Sequence, residues 1–246
     1  MDKRNTISTR KSSPLSQFFE GAKDTFPLIV GAIPFGIIFG TLATTAGLSF
    51  VATMGMSMFV FAGASQFVCL SLVVAGTAWP MIVLTTFVVN LRHMLYGATM
   101  VPFYKKLNPF WKMLLAFGLT DETFAVAVNR YNQKDGVPGK HYYNLGSMVF
   151  MYTNWNLCTI IGLTAGNAFP GISHWGLDFA MPATFIGIVI PYLVSKPMWA
   201  SVITAGTVSI MAGGLPHKLG LMVAALVGVT VGIVCERAFH GKKELV

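Results

Sequence analysis

Charged residues are scarce in this chain. Lysine, arginine, aspartate and glutamate make up only 11% of its 246 residues, whereas hydrophobic residues make up 54%. A soluble globular domain carries roughly 25% charged residues, so this composition excludes an ordinary soluble domain. The mean hydropathy of +0.64 points the same way. The composition therefore predicts a polytopic membrane protein embedded in a lipid bilayer.

Cysteine and the motifs of several enzyme classes are also lacking. The three cysteines, Cys69, Cys158 and Cys235, lie in apolar segments without paired spacing. This excludes a disulfide framework and gives no metal-ligand pattern. The chain contains no HExxH, P-loop or GxGxxG motif. We therefore expect no metal, no cofactor and no ATP-driven pumping by the chain itself.

The net charge of +8 does not form a basic face. Many of the basic residues lie near the two ends of the chain and in one short loop: Lys3, Arg4, Arg10, Lys11, Lys105, Lys106, Lys242 and Lys243. That distribution is a topology signal and gives no surface for nucleic acid. Residues 1–22 are polar and contain no apolar core with a cleavage site. They are expected to form a flexible cytoplasmic tail ahead of a single transmembrane domain over residues 23–240.

Eight apolar segments are long enough to be candidate membrane segments. They cover 25–47, 50–75, 79–101, 110–128, 142–166, 175–195, 197–213 and 218–240. Eight plain crossings from a cytoplasmic start would place Lys105 and Lys106 outside, against the positive-inside rule. We therefore expect segments 50–75 and 110–128 to dip into the membrane and return. The fold class is then all-α, with about six full spans, two re-entrant or broken-helix hairpins and both termini in the cytoplasm.

Both expected hairpins contain a polar, glycine-bearing interruption. The first is Gly63-Ala64-Ser65-Gln66 and the second is Gly118-Leu119-Thr120-Asp121-Glu122. Non-helical backbone at membrane depth is tolerated where it is buried in protein or lines water, so the two breaks are candidate walls of one cavity. Phenylalanines flank both breaks, and the stretch Asn90–Tyr96 is weakly similar in sequence to Asn144–Phe150. The pattern is compatible with an inverted repeat.

Two clusters of ionisable residues lie within apolar surroundings. Asp121 and Glu122 form one, and Arg92 and His93 form the other. An Asp at the centre of a spanning helix costs roughly 2.5–3.5 kcal/mol, and such residues usually serve a pathway. We predict that these four residues couple transport to protons, with Asp121 carrying the proton and Glu122 paired to Arg92 or His93. Two structural alternatives stay open: Thr120 caps a helix that carries both acids in its first turn, and Arg92 snorkels to the headgroups.

Three sequence blocks resemble the AzlC-type large subunit of branched-chain amino acid exporters. They are Ala62-Gly63-Ala64-Ser65-Gln66-Phe67, then Arg92-His93 with Leu95-Tyr96-Gly97, then Phe117-Gly118-Leu119-Thr120-Asp121-Glu122 followed by Phe124-Ala125. The resemblance covers roughly residues 20–240. It implies a non-enzymatic protein of the bacterial inner membrane that exports valine, leucine, isoleucine and sometimes methionine. It also implies a small AzlD-type membrane subunit as partner.

Neutral polar groups near these blocks are suited to hold an amino acid. The expected substrate-binding residues are Gly63, Ser65, Gln66, Asn90, Tyr96 and Thr120. Two other functions remain open from the residues alone. Ser65 with His93 resembles a rhomboid-like dyad, which would make the chain an intramembrane serine hydrolase. A passive channel is the other, although a channel would be expected to show rings of like charge or repeated carbonyl filters.

Overall fold

The computed structural model describes residues 13–133, 135–165, 186, 190, 193–215 and 219–240. In this part of the chain the regular structure is helical, with no strand. The helices are α1 (Pro14–Thr45), α2 (Phe50–Phe59), α3 (Gly63–Val74), α4 (Trp79–Tyr104), α5 (Pro109–Phe117), α6 (Asp121–Asn132), α7 (Lys140–Ala165), α8 (Lys196–Met211) and α9 (Leu219–His240). The all-α prediction is confirmed. Segment 175–195 lies almost wholly outside the described residues.

The first helix starts earlier than the sequence predicts. Residues 14–22, assigned above to a flexible tail, form the beginning of α1. They are helical because this end of α1 packs against α7: Gly21 lies against the backbone of Tyr143, and the backbone of Phe18 lies against Gly146. The helix has 32 residues, about 48 Å at 1.5 Å per residue, which exceeds the ~30 Å hydrocarbon core of a bilayer.

Apolar surface suited to lipid covers much of the described chain. Among the described helices, α1 and α4 are long and apolar enough to cross a membrane. Large apolar side chains stand exposed on several helices, including Val51, Phe59, Ile210 and Met211. Large exposed apolar surfaces are uncommon in soluble proteins. These helices fit an all-α membrane protein.

Two segments are interrupted at or just beside the predicted helix breaks. Residues 60–62 separate α2 from α3, and residues 118–120 separate α5 from α6. The four short helices have 9 to 12 residues, about half the number that crosses a bilayer. The first break lies just before the predicted one, because Gly63 already begins α3 and Ser65 and Gln66 occupy its first turn. Whether either segment turns back at its break stays a prediction.

The chain divides into two compact units. Unit 1 consists of Met1–Thr44, Leu48–Phe61 and Arg92–Thr184. Unit 2 consists of Thr45–Gly47, Ala62–Leu91 and Phe185–Val246. In unit 2, α8 and α9 pack closely: the Ser201 hydroxyl donates to Gly228 O at 2.8 Å, and a Cβ on Gly228 would lie 2.7 Å from Ala205 Cβ.

Helices α1 and α7 of unit 1 meet along a seam where glycines let their backbones approach closely. The α1–α7 seam contains Gly21, Thr25, Gly36 and Gly40 on α1, and Tyr143, Ser147, Cys158 and Gly162 on α7. Gly36 lies against Cys158, Gly40 lies against Gly162, and the Thr25 hydroxyl donates to Ser147 Oγ at 2.6 Å. From one contact to the next, the residue numbers increase in the same direction along both helices, so α1 and α7 run parallel. Such close approach is what G-x-x-x-G spacing permits.

The interior of unit 1 also fixes helix α6. A buried cluster joins residues of α4, α5 and α6 with one residue of the second break: Met100, Tyr104, Leu115, Leu119, Ala127 and Val128. Leu119 is almost fully buried although it lies between two helices. Apolar packing therefore holds the break and the start of α6 against α4.

Candidate functional site

The second helix break is stabilised by a capping box. The Thr120 hydroxyl accepts from the backbone N–H of Thr123, and the Thr123 hydroxyl accepts from the Thr120 N–H at 2.8 Å. The Thr123 hydroxyl also donates to Gly118 O at 2.6 Å. This places Asp121 and Glu122 in the first turn of α6, where the helix dipole favours carboxylates. The capping alternative raised from the sequence is what the structure shows, and it does not exclude a functional role.

Asp121 is held by two residues of α4. Arg92 Nη2 lies 3.1 Å from Asp121 Oδ2, and the Tyr96 hydroxyl donates to Asp121 Oδ1. Arg92 and Tyr96 are four residues apart, so they lie on the same face of α4. The side chains of Arg92 and Asp121 are 25% and 12% exposed. The site is therefore a partly buried ion pair with a phenol as second donor.

The pairing differs from the one expected above. Asp121, rather than Glu122, forms the ion pair with Arg92. Glu122 accepts a hydrogen bond from the Thr120 hydroxyl at 2.8 Å. Adjacent positions on a helix point about 100° apart, so only one of the two acids can face Arg92. The cap at Thr120 sets the start of α6 and so decides which one does.

Aromatic rings pack around Tyr96. The Tyr96 and Phe124 rings stack with centroids 4.5 Å apart and an interplanar angle of 12°. His93 lies edge-on to Tyr96 at 5.6 Å. This packing restrains the Tyr96 hydroxyl that donates to Asp121. The structure thus brings Arg92, Tyr96 and Asp121 together and places His93 beside Tyr96.

A residue of the first helix break contacts a residue next to the second break within unit 1. Phe61, which belongs to the first break, stacks on Phe117 at the end of α5, with centroids 6.3 Å apart. Tyr152 of α7 lies edge-on to Phe61 at 5.1 Å, and its hydroxyl donates to Met58 O at 3.2 Å. An aromatic cluster of Phe61, Phe117 and Tyr152 therefore joins the end of α2 to the end of α5.

The remaining predicted substrate residues belong to unit 2. Ser65 and Gln66 are fully buried, and the Ser65 hydroxyl donates to Ala62 O at 2.9 Å. Gly63 begins α3 and Asn90 lies in α4. The shared cavity expected from the two breaks stays a prediction. Within the described residues, no group of three or more histidines, cysteines and acids could hold a metal ion.

Sequence reasoning missed a second polar network in unit 1. The Tyr143 hydroxyl donates to Asp24 Oδ2 at 2.6 Å, and the Arg130 guanidinium lies 5.7 Å from the centre of the Tyr143 ring. Asp135 is bridged by Lys140 at 2.9 Å and by Arg130 at 2.5 Å. The hydrogen bond from Lys140, with that from Arg130, lowers the pKa of Asp135. Asp24, an acid at the edge of the first apolar segment, was the available sequence signal.

Helix breaks at a polar site in an all-α membrane protein are typical of secondary transporters. Comparison with known proteins agrees with that class. The family model described as AzlC protein matches residues 27–169, and the chain belongs to the AzlC family. This is a family of transport proteins, so the chain is not an enzyme.

Three relatives are similar over most of their length. The inner membrane protein YgaZ of Escherichia coli K12 is 30% identical over 220 residues, 87% of each chain. An uncharacterized membrane protein of Archaeoglobus fulgidus is 33% identical, covering 88% of this chain and 94% of its own. The branched-chain amino acid transport protein AzlC of Bacillus subtilis 168 is 30% identical, covering 92% and 89%. No solved structure gives a significant match.

Proposed function

We propose that the chain is the large subunit of a secondary active exporter of branched-chain amino acids in the bacterial inner membrane. The observation that carries the proposal is the Arg92–Asp121 ion pair at the start of a broken helix, with Glu122 beside it. The name of the Bacillus subtilis relative supports the substrate class. Valine, leucine and isoleucine are the proposed substrates, with methionine as a fourth, and a small AzlD-type membrane subunit is the proposed partner.

The proton gradient is the proposed energy source, because the chain contains no nucleotide-binding motif. We assign the proton to Glu122 rather than Asp121. Asp121 is committed to the Arg92 guanidinium and the Tyr96 hydroxyl, whereas Glu122 is held by the neutral hydroxyl of Thr120. A carboxylate bound to a neutral partner can gain a proton without leaving a cation uncompensated. Arg92, Asp121 and His93 complete the proposed coupling group.

The substrate-binding residues predicted from the sequence stay proposals. Thr120 and Tyr96 lie in unit 1, next to Asp121. In unit 2, the proposed residues are Gly63, Ser65 and Gln66 in the first turn of α3 and Asn90 in α4. Neutral amide and hydroxyl groups of this kind hydrogen-bond a zwitterion without adding fixed charge.

The parallel course of α1 and α7 supports the proposed topology. Helix α4 and the two interrupted segments lie between them in the chain. Two membrane helices run in the same direction when an odd number of crossings lies between them. Since α4 supplies one crossing, α1 and α7 run parallel only if both interrupted segments cross the membrane or neither does. The positive-inside rule favours neither crossing, because the loop with Lys105 and Lys106 then lies in the cytoplasm. Both chain termini are cytoplasmic in this arrangement.

Transport in inverted membrane vesicles tests the function. Vesicles carrying the chain and its small partner subunit should accumulate labelled leucine and valine when the lumen is acid. Glu122→Gln removes the ionisable group and keeps its shape, so substrate exchange should persist while uphill accumulation is lost. Glu236→Gln on the exposed face of α9 is the matched control and should pump normally.

The outcomes separate the parts of the proposal. Wild-type vesicles that move no branched-chain amino acid would contradict the function itself. Uphill accumulation by Glu122→Gln would remove Glu122 as the proton carrier and leave Asp121 to be tested by Asp121→Asn. Full activity without the small subunit would show that the partner is not required.

A further inference from the structure

We propose that the Arg92–Asp121 ion pair is the binding site for the charged end of the substrate. In this proposal the pair opens, Asp121 takes the α-ammonium group and Arg92 takes the α-carboxylate. The inference rests on the proposed function and deepens it, since it assigns the ligand of two residues so far placed only in proton coupling. The proposed site recognises the zwitterionic part of the substrate.

The charges of Arg92 and Asp121 each need a partner of opposite sign. Burying either charge alone is unfavourable, because a buried ion without a partner loses its hydration and gains no attraction to an opposite charge. In the structure each charge is compensated by the other at 3.1 Å. An amino acid zwitterion carries one cation and one anion separated by a single carbon. Once bound, the zwitterion replaces one ion pair with two, so both protein charges stay compensated.

The geometry of the pair supports such an exchange. The two side chains are 25% and 12% exposed, so the pair is accessible at its edge. The planar guanidinium of Arg92 can bind a carboxylate through two parallel N–H groups. The Tyr96 hydroxyl donates to Asp121, and stacking on Phe124 restrains the Tyr96 ring. Asp121 therefore keeps an orienting donor when Arg92 moves to the substrate.

The buried Arg130 offers a contrast within the same unit. Arg130 also pairs with an aspartate, Asp135, but it donates to Gln133 as well and its aspartate is bridged by Lys140. Opening that pair would also affect the Arg130–Gln133 hydrogen bond and the Lys140–Asp135 contact. Asp121 receives one other donor, Tyr96, which can remain in place. Arg130 is thus a matched control for a structural arginine–aspartate pair.

The test uses ligands that carry one charge instead of two. Isopentylamine keeps the ammonium and the branched side chain of leucine, and 4-methylpentanoate keeps the carboxylate. Arg92→Gln leaves a lone Asp121 carboxylate, so the purified complex should bind isopentylamine at least 10-fold more tightly than wild type does. Asp121→Asn removes the carboxylate that faces the Arg92 guanidinium and should gain affinity for 4-methylpentanoate by a similar factor. Leucine affinity should fall at least 10-fold in both variants.

Binding is measured on the full complex in detergent, with size exclusion to verify folding. Arg130→Gln should leave the ranking of leucine, amine and acid unchanged. Arg92→Lys keeps the charge and should keep the preference for leucine, which preserves a test should Arg92→Gln fail to fold. Wild type that binds no branched-chain amino acid contradicts the proposed function. Wild type that binds leucine, together with Arg92 and Asp121 variants of unchanged ligand ranking, overturns the ion-pair proposal alone.

Discussion

Replacement of Gly162 by alanine tests the α1–α7 seam. A Cβ at this position would lie 2.1 Å from Ile37 O, 2.9 Å from Ile37 C and 3.0 Å from Gly40 Cα. All three atoms are backbone atoms of α1, so no side chain can rotate away to relieve the clash. The whole of α1 must shift, and its other contacts with α7 must shift with it.

The size of the effect follows from two opposing terms. Overpacking of this kind costs about 1–3 kcal/mol. Alanine is also a better helix former than glycine, by about 0.5–1 kcal/mol. The expected net loss is about 1–2 kcal/mol, which corresponds to a fall in Tm of ~2–8 °C for a chain of this length.

Gly55 provides the control. It lies inside helix α2 of the same unit, and a Cβ there would meet nothing within 4 Å. Gly55→Ala should therefore leave Tm unchanged or raise it by a few degrees. The assay is thermal unfolding of the detergent-solubilised protein, followed by size-exclusion chromatography after heating. Equal Tm values for the two variants would refute the close approach of α1 and α7.

Two further predictions concern charge and topology. Asp135→Asn should lower Tm at pH 7 by a few degrees, since Asp135 is partly exposed and a pair of this kind contributes about 0–1 kcal/mol. Because the pKa of Asp135 is lowered in the folded state, the Tm difference should be complete above the unfolded pKa of about 4, shrink as pH falls below it and disappear only below the lowered folded pKa. A pH-independent difference would contradict the ionic origin. A cysteine at Lys105 should react with impermeant maleimide only from the cytoplasmic side, and labelling only from outside would defeat the two-hairpin topology.

Local sequence pattern predicted the elements of unit 1 well. The break at residues 118–120 follows from Gly118 and from the capping preference of Thr120, both visible in the sequence. The need of Arg92 for an acidic partner follows from its apolar surroundings. Which acid it meets depends on the rotation of α6 about its axis, set by packing of Leu119 and by the cap. The rotation of α6 about its axis is set by tertiary packing, which the local sequence pattern does not determine.

The contacts of α1 with α7 could not be predicted. The early start of α1 depends on Gly21 and Phe18 lying against α7, more than a hundred residues away in the chain. The meeting of Phe61 and Phe117 likewise joins two helices with no shared sequence signal beyond a phenylalanine beside each break. The G-x-x-x-G spacing indicated that helices approach closely, but not which helices do so.

The electroneutrality of the Arg92–Asp121 pair has an electrical consequence. A charge that crosses the full membrane field exchanges about 2.3 kcal/mol per 100 mV. The two fixed charges cancel, and a zwitterion adds none. In the proposed cycle only the bare carboxylate of Glu122 then senses the membrane voltage, while the protonated form does not. Substrate loading should be voltage-independent, and the electrical driving force should act on a single step, the movement of the deprotonated carrier.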